Sequence, residues 1–376
     1  MEDLIRDFAE KCRQKLEGFE NTQVRCGIVG PSGNGKSSLI NAIFGEKVAP
    51  PGVVEKTFIA KEFSHESKGL ILVDLPGCGT QNWPTETYID RLKLLTYDCF
   101  ILVTANRFTA DDAFLYRELT SRGKPCFVLR NKFDLAVNDG RHDNDLSEEE
   151  VRNQIEANIR ESLRPSSPER IYLTSARLPT KYDLGRLLND IAEALSGLKR
   201  ERFIADMAAY SEDSLKKKRT VALELMPLYA GLAAANGLNP IPVLDVAADI
   251  GVLLKMGCAI AEIYGLTAKQ FEFIKRLLGP KAIPSLLAKI AAFAAKYMAK
   301  EGIILVLKRI AGRMAAKEAS KWIPFVGPLI AAGIGWKATF MLGEQLVDEA
   351  ESLAREILEG IVRGTDLPGG SGEMVA

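Results

Sequence analysis

The stretch GIVGPSGNGKSSLINAIFG, residues 27–45, sets glycines, a lysine and three serines between an apolar run and the start of an apolar helix. Within it, Gly30-Pro31-Ser32-Gly33-Asn34-Gly35-Lys36-Ser37 matches G-x-x-x-x-G-K-[ST], and Ser38 continues it into the helix. Glycines let the backbone curl so that successive N–H groups face one point, and a helix N-terminus adds positive potential there. Such a turn cradles phosphate, with Lys36 reaching the outer phosphates and Ser37 offering a hydroxyl to Mg²⁺. A strand must precede it and a helix must follow, which constrains the fold more than any other feature.

Two further signals follow in order. Asp74-Leu75-Pro76-Gly77 closes the apolar run Leu70–Val73, setting a carboxylate at a strand end for a metal-bound water and a glycine where a γ-phosphate is sensed. Asn131-Lys132-Phe133-Asp134 follows the next-but-one strand candidate. Asp134 can accept from both the ring N1–H and the exocyclic amine of guanine, whereas adenine has no N1–H. Ser175-Ala176, after the last strand, suits a backbone donor to the guanine carbonyl. The ordered set points to GTP or GDP with Mg²⁺ as ligand.

Around these motifs, VRCGIVG, GLILVDLPG, YDCFILVTA, PCFVLRN and RIYLTSA alternate with helical stretches. That alternation implies a mainly parallel sheet covered by helices on both faces. NDGRHDNDLSEEE reads as an acidic surface loop running into a helix start. After residue 195 strand signals stop, and Ala- and Leu-rich segments broken by Pro227, Pro240, Pro242, Pro280, Pro284, Pro324 and Pro328 predict a bundle with proline-marked turns. Upstream, Leu4, Ile5, Phe8, Cys12, Leu16 and Phe19 share helical spacing. The expected organisation is a packing helix over 1–20, an α/β domain over 21–197, an all-α domain over 198–363 and a flexible tail over 364–376.

Composition narrows the classes. The 376 residues carry no formal net charge and are 47% hydrophobic, which excludes wholesale disorder and bulk electrostatic binding to nucleic acid. Six dispersed cysteines without a CxxC pair fit a reducing compartment rather than a disulfide framework or zinc site. MEDLIRDFAEKC lacks the plan of a signal peptide, and Glu2 stands where N-myristoylation needs glycine. A cytoplasmic protein, neither secreted nor myristoylated, is expected.

Ras-like GTPases place a water-orienting glutamine directly after D-x-x-G. Here that residue is Cys78. Either hydrolysis is feeble, or the missing group comes from elsewhere in the chain or from a second molecule. PPGVVEKTFIA contains Thr57, twenty residues beyond Ser37 and able to close over the metal, and Glu55 two residues before it.

GPSGNGKSS, PGVVEKT, DLPGCG, LRNKFD and SARLPTKYDLGRL, with IPVLDVAADIGVLLKMGCAIAEIYGL and IPFVGPLIAAGIGWKATFMLGEQLVDEAESLA, together resemble the immunity-related GTPases, also called p47 or interferon-inducible GTPases. The resemblance runs from about residue 2 to 362, and Lys36 places the chain with members that keep lysine in the phosphate loop. It implies a Ras-like GTPase domain with a six-stranded sheet, inserted in a helical domain formed by the N-terminal helix and the C-terminal helices. It implies GTP-dependent self-association with accelerated hydrolysis, action on intracellular membranes and a role in cell-autonomous defence. Glu55 takes the family's catalytic glutamate role and Thr57 that of the switch threonine. Pro51 replaces the first threonine of the family's T-G-V-V-E-x-T segment, and Asn131 stands where many members carry threonine.

Eleven Lys and Arg residues stand against Glu301 and Glu318 between Lys275 and Lys321. There Leu286, Leu287, Ile290, Phe293, Ala294 and Tyr297 oppose Lys289, Lys296 and Lys300, the pattern of a basic amphipathic helix that can lie on an anionic membrane. A core-packed helix with solvated lysines explains the same pattern. Leu225–Leu244 and Trp322–Trp336 are uncharged, but neither makes a spanning helix, the first for its composition and the second for its length. Lys216–Arg219 reads as a solvated face. Two other functions are weighed: a scaffold that binds GTP without turning it over, and an RNA-associated GTPase, for which no basic RNA-binding module is evident.

Overall fold

The computed structural model describes residues 2–50, 60–66, 68–164, 168, 170–236, 242–318 and 327–365. It divides into two units. One is chiefly Thr22–Ser214 with Lys269–Leu278; the other combines Met1–Asn21, Leu215–Ala268 and Gly279–Gly360.

The first unit is built on six strands: β1 (Val24–Val29), β2 (Lys61–Ser64), β3 (Leu70–Leu75), β4 (Cys99–Thr104), β5 (Cys126–Arg130) and β6 (Ile171–Leu173). Their order is β2-β3-β1-β4-β5-β6, with β2 antiparallel to β3 and all other pairs parallel. Every residue of β3 and β4 is buried, as expected of parallel strands covered on both faces. The polar edge strand β2 has no fully buried residue and no apolar run to reveal it in the sequence. β1 is flanked by β3 on one side and β4 on the other, and the connection from β3 to β4 passes over it, so a cleft opens at the carboxyl end of β1, the usual ligand position in such sheets.

Several sequence expectations are corrected in this unit. The expected acidic loop is mostly helix: Phe133–Asn144 and Glu148–Leu163 leave only Asp145–Ser147 between them. Gly140 allows it, because a Cβ there would lie 2.5 Å from Val151 Cγ2. Ser147 and Glu150 form a capping box that starts the second helix. The helix Gly197–Asp206, expected in the all-α domain, groups with the sheet. Asp206 accepts the β3 amide of Leu70 at 2.7 Å and pairs with Arg202 at 2.8 Å. Beyond it, Ala208 N and Tyr210 Oη, both at 2.7 Å, donate to Ile43 and Ala42 at the end of the helix Lys36–Phe44.

The second unit is helical. Its first helix, Glu2–Asn21, buries Ala9, Cys12, Leu16 and Phe19 while Phe8 stays half exposed. Pro227 marks no turn but lies inside the helix Glu212–Asn236. An internal proline costs about 3 kcal/mol, which burial of Leu225 and Met226 offsets at about 1.5–3 kcal/mol each. Pro242 and Pro284 do stand at helix starts. The basic run Lys216–Arg219 is not a solvated face. Lys218 is buried, and its Nζ donates at 2.5 Å to the carbonyl of Ile263, where the helix Pro242–Ile263 leaves carbonyls unbonded. Arg219 pairs with Asp348 and Glu351 at 2.8 and 2.6 Å.

The basic amphipathic pattern over Ile283–Tyr297 has a core explanation. Leu286, Ile290, Phe293 and Tyr297 are buried within the helical unit. Lys289 bonds Glu356 at 2.6 Å, and Lys296 pairs with Glu349. Most of the apolar face is thus packed inside the helical unit, while Leu287 stays exposed. Ile250–Ile274 is apolar and long enough to cross a membrane, but half of its most apolar window is buried in the protein, as in a core helix.

Candidate functional site

The loop after β1 curls as its glycines require. Gly33 and Gly35 have φ of 87° and 81°, in the left-handed region that a side chain disfavours. Gly35 caps the helix Lys36–Phe44, so the turn and a helix N-terminus converge on one point. Lys36 is buried, and its Nζ donates to the carbonyl oxygens of Gly30 at 2.6 Å and Pro31 at 3.2 Å. Asp74, at the end of β3, stands 3.6 Å from that ammonium. Burial pulls the Lys36 pKa down, and Asp74 partly restores it.

The register sets the base motif beside this loop. Arg130 pairs with Thr104 on β4 and Leu173 on β6, so the three strands end level. Main-chain bonds then carry Asn131 N to Thr104 O and Phe133 N to Thr174 O, at 2.8 and 2.9 Å. Asn131 is buried, and its amide donates to the Asn34 carbonyl at 2.9 Å. Lys132, itself at φ 58°, donates from Nζ to the Gly33 carbonyl at 2.7 Å. The Asn34 side chain fastens the loop's other flank to Val103 O at 3.0 Å. Behind the base motif, Asp183 accepts Leu173 N at 3.0 Å and pairs with Arg152, which lies over the Phe133 ring.

A cavity of about 380 Å³ opens above these groups. Its phosphate-loop side is lined by Ser32, Gly33, Gly35, Lys36, Ser37 and Ser38, and Asp74 joins them from β3. The other end is lined by Asn131, Lys132, Asp134, Ser175 and Ala176. Gly30 and Asn34 support the loop from outside the cavity. Gly77 lies against the loop: a Cβ built on it would be 3.7 Å from Pro31 Cα. Glu55 and Thr57, with Pro51, lie outside the described residues. Leu135 and Arg177 also line the cavity, two positions the sequence reading passed over. Their only signal is adjacency to Asp134 and Ala176, since neither type is distinctive there.

The oxygen donors suit Mg²⁺. A hydroxyl from Ser37 and a carboxylate from Asp74 face the same cavity as the phosphate cradle, and Mg²⁺ is usually held by one or two protein oxygens together with substrate phosphates. Among the described residues no cluster of three or more His, Cys, Asp or Glu side chains could hold a metal without such phosphates.

Cys78 does not stand in for a water-orienting group. It packs against the core of the sheet unit, and burial pushes its pKa up to about 11. The expected consequence is slow alkylation: at pH 8 its thiolate fraction is roughly a hundredfold below that of an ordinary thiol. Mass spectrometry of the Cys78 peptide after timed iodoacetamide treatment, in native and denatured protein, measures that difference.

The family model described as interferon-inducible GTPase (IIGP) matches residues 2–274. Interferon-inducible GTPase 5 of Rattus norvegicus is 27% identical over 365 residues, covering 94% of this chain and 79% of the relative. Interferon-inducible GTPase 1 of Mus musculus is 28% identical over 274 residues, covering 69% and 66%. Among solved structures, Toc33 from Arabidopsis thaliana in complex with Mg²⁺ and GMPPNP aligns over 47% of this chain and 80% of its own. Its identity is 14% and its TM-score 0.32. The chain belongs to the interferon-inducible GTPase family, whose members bind and hydrolyse GTP.

Proposed function

We propose that the cavity takes GTP or GDP with Mg²⁺, that turnover accelerates when copies associate across their nucleotide faces, and that the assembled protein acts on intracellular membranes in cell-autonomous defence. The observation that carries the nucleotide reading is the convergence of the phosphate loop, Asp74 and the base motif on one cavity. In this reading the main-chain N–H groups from Ser32 to Ser38 hold phosphate and Lys36 draws charge from the outer phosphates. Asp134, Ser175 and Ala176 read the guanine edge, braced by Asn131 and Lys132. Ser37, Thr57 and Asp74 would hold the ion, directly or through water, and Mg²⁺ when bound would supply charge neutralisation at the phosphates. Gly77 offers its amide to the γ-phosphate. Glu55 orients the attacking water, the task Cys78 is unsuited to.

Self-association supplies a reason for a site that lacks a water-orienting residue at position 78. The defence role is supported by the names of the relatives, and the membrane by the basic excess between Lys275 and Lys321, where Lys281, Lys300, Lys308 and Arg309 are exposed. A cytoplasmic, peripherally bound protein with no nucleic-acid partner accommodates these features. Cys78 also favours a second reading, a GTP-gated scaffold that hydrolyses negligibly and recruits a partner through its helical unit.

Turnover per molecule across a hundredfold range of protein concentration separates the two. Self-activation predicts a rise of about tenfold, or about 1.4 kcal/mol of transition-state stabilisation, with light scattering rising in parallel. Glu55→Ala should remove the rise and leave nucleotide affinity intact. A flat, slow rate at every concentration would leave the scaffold reading.

A further inference from the structure

The helix Thr85–Arg91 carries Tyr88, whose ring is fully buried in the core of the sheet unit. A phenylalanine would fill that space, and a buried hydroxyl without a partner is costly. The Tyr88 hydroxyl has a partner: it donates to the carbonyl oxygen of Pro76. Burial drives its pKa well above the ordinary tyrosine value, so it stays a donor at physiological pH.

That carbonyl and the amide of Gly77 belong to one peptide unit. In a trans peptide the C=O and N–H point in opposite directions, so fixing one fixes the other. With its carbonyl turned to Tyr88, the unit turns its N–H away from the helix, while Gly77 itself lies beside Pro31 of the phosphate loop. We propose that Tyr88 is a positioning residue for GTP, which through the Pro76 carbonyl holds the Gly77 amide ready for the γ-phosphate. The inference rests on the reading of Gly77 given above.

The helix bearing Tyr88 is held in turn. Thr85 Oγ1 donates to Asp111 Oδ1 at 3.0 Å, the Trp83 ring meets Tyr88 edge-on at 6.3 Å, and Arg91 lies 4.4 Å over Trp83. A γ-phosphate drawing on Gly77 therefore works against a peptide whose other end is anchored in the core.

Tyr88→Phe removes one oxygen and keeps the ring. Affinities for GMPPNP and GDP, measured with Mg²⁺, should show GMPPNP weakened about fivefold, the worth of one neutral hydrogen bond, and GDP within about twofold, since GDP has no phosphate for Gly77 to meet. A purely structural tyrosine would move both affinities together or neither, and either result overturns the inference. Hydrogen exchange at the Gly77 amide in the unaltered protein tests the underlying reading separately. It should slow with GMPPNP relative to GDP; if it does not, the role of Gly77 falls and that of Tyr88 with it. If it does slow and Tyr88→Phe binds both nucleotides normally, only the inference about Tyr88 is overturned. Should Tyr88→Phe not fold, as circular dichroism would show, Thr85→Val decides. By loosening the same helix it should weaken GMPPNP selectively, and unchanged affinity for both nucleotides would overturn the proposal.

Discussion

Lys36→Ala is expected to lower GTP turnover by about 10²–10³-fold, the range seen when one preorganised donor is removed from developing charge. Its ammonium is buried between the loop carbonyls and Asp74, facing the cavity, where low dielectric strengthens attraction to phosphate. Affinity should fall as well, by on the order of a hundredfold for GTP, the size of a charge-assisted contact of about 2.7 kcal/mol. The same substitution removes the bonds to Gly30 and Pro31, so part of the loss belongs to the loop rather than to the ligand. Single-turnover hydrolysis at saturating GTP separates chemistry from binding. A rate within threefold of the unaltered protein would remove Lys36 from the site.

Asp134→Asn should exchange one nucleotide preference for another. A carboxylate offers two acceptors to the N1–H and exocyclic amine of guanine, each contact worth about 1.5–3 kcal/mol when charge-assisted. The amide keeps one acceptor and presents a donor to the amine. The loss for GTP is therefore on the order of 10²–10⁴-fold. Xanthine carries a carbonyl where guanine has the amine, so the amide complements it and XTP should bind the variant better than GTP does. Displacement of a fluorescent GDP analogue by GTP, XTP and ATP reads all three. Equal GTP affinity in variant and parent would show that the base lies elsewhere.

The parts of the site legible in the sequence are those where residue type and spacing dictate backbone geometry. Gly33 and Gly35 occupy left-handed positions, and Asp74 closes, while Asn131 and Ser175 follow, apolar strands whose ends the sheet brings together. Features that depend on a partner distant in sequence were hidden. Lys218 looks like any surface lysine until Ile263 offers it a carbonyl, and Gly140 looks like a loop breaker until Val151 needs its space. Nothing near the lysines of Ile283–Tyr297 in the sequence announces their partners Glu349 and Glu356. Strand β2 escaped for the opposite reason: an edge needs no continuous apolar run, so its pattern is that of a loop.

Lys36, from the helix that follows, and Asn131 and Lys132, from the base motif, all bond carbonyl oxygens of the phosphate loop itself. The loop thus loses its conformational freedom when the chain folds, and not when nucleotide arrives. A preorganised cradle spares the complex the ordering cost that usually erodes affinity. It also lets the association rate be set by diffusion and charge, without a slow closure step in this part of the site.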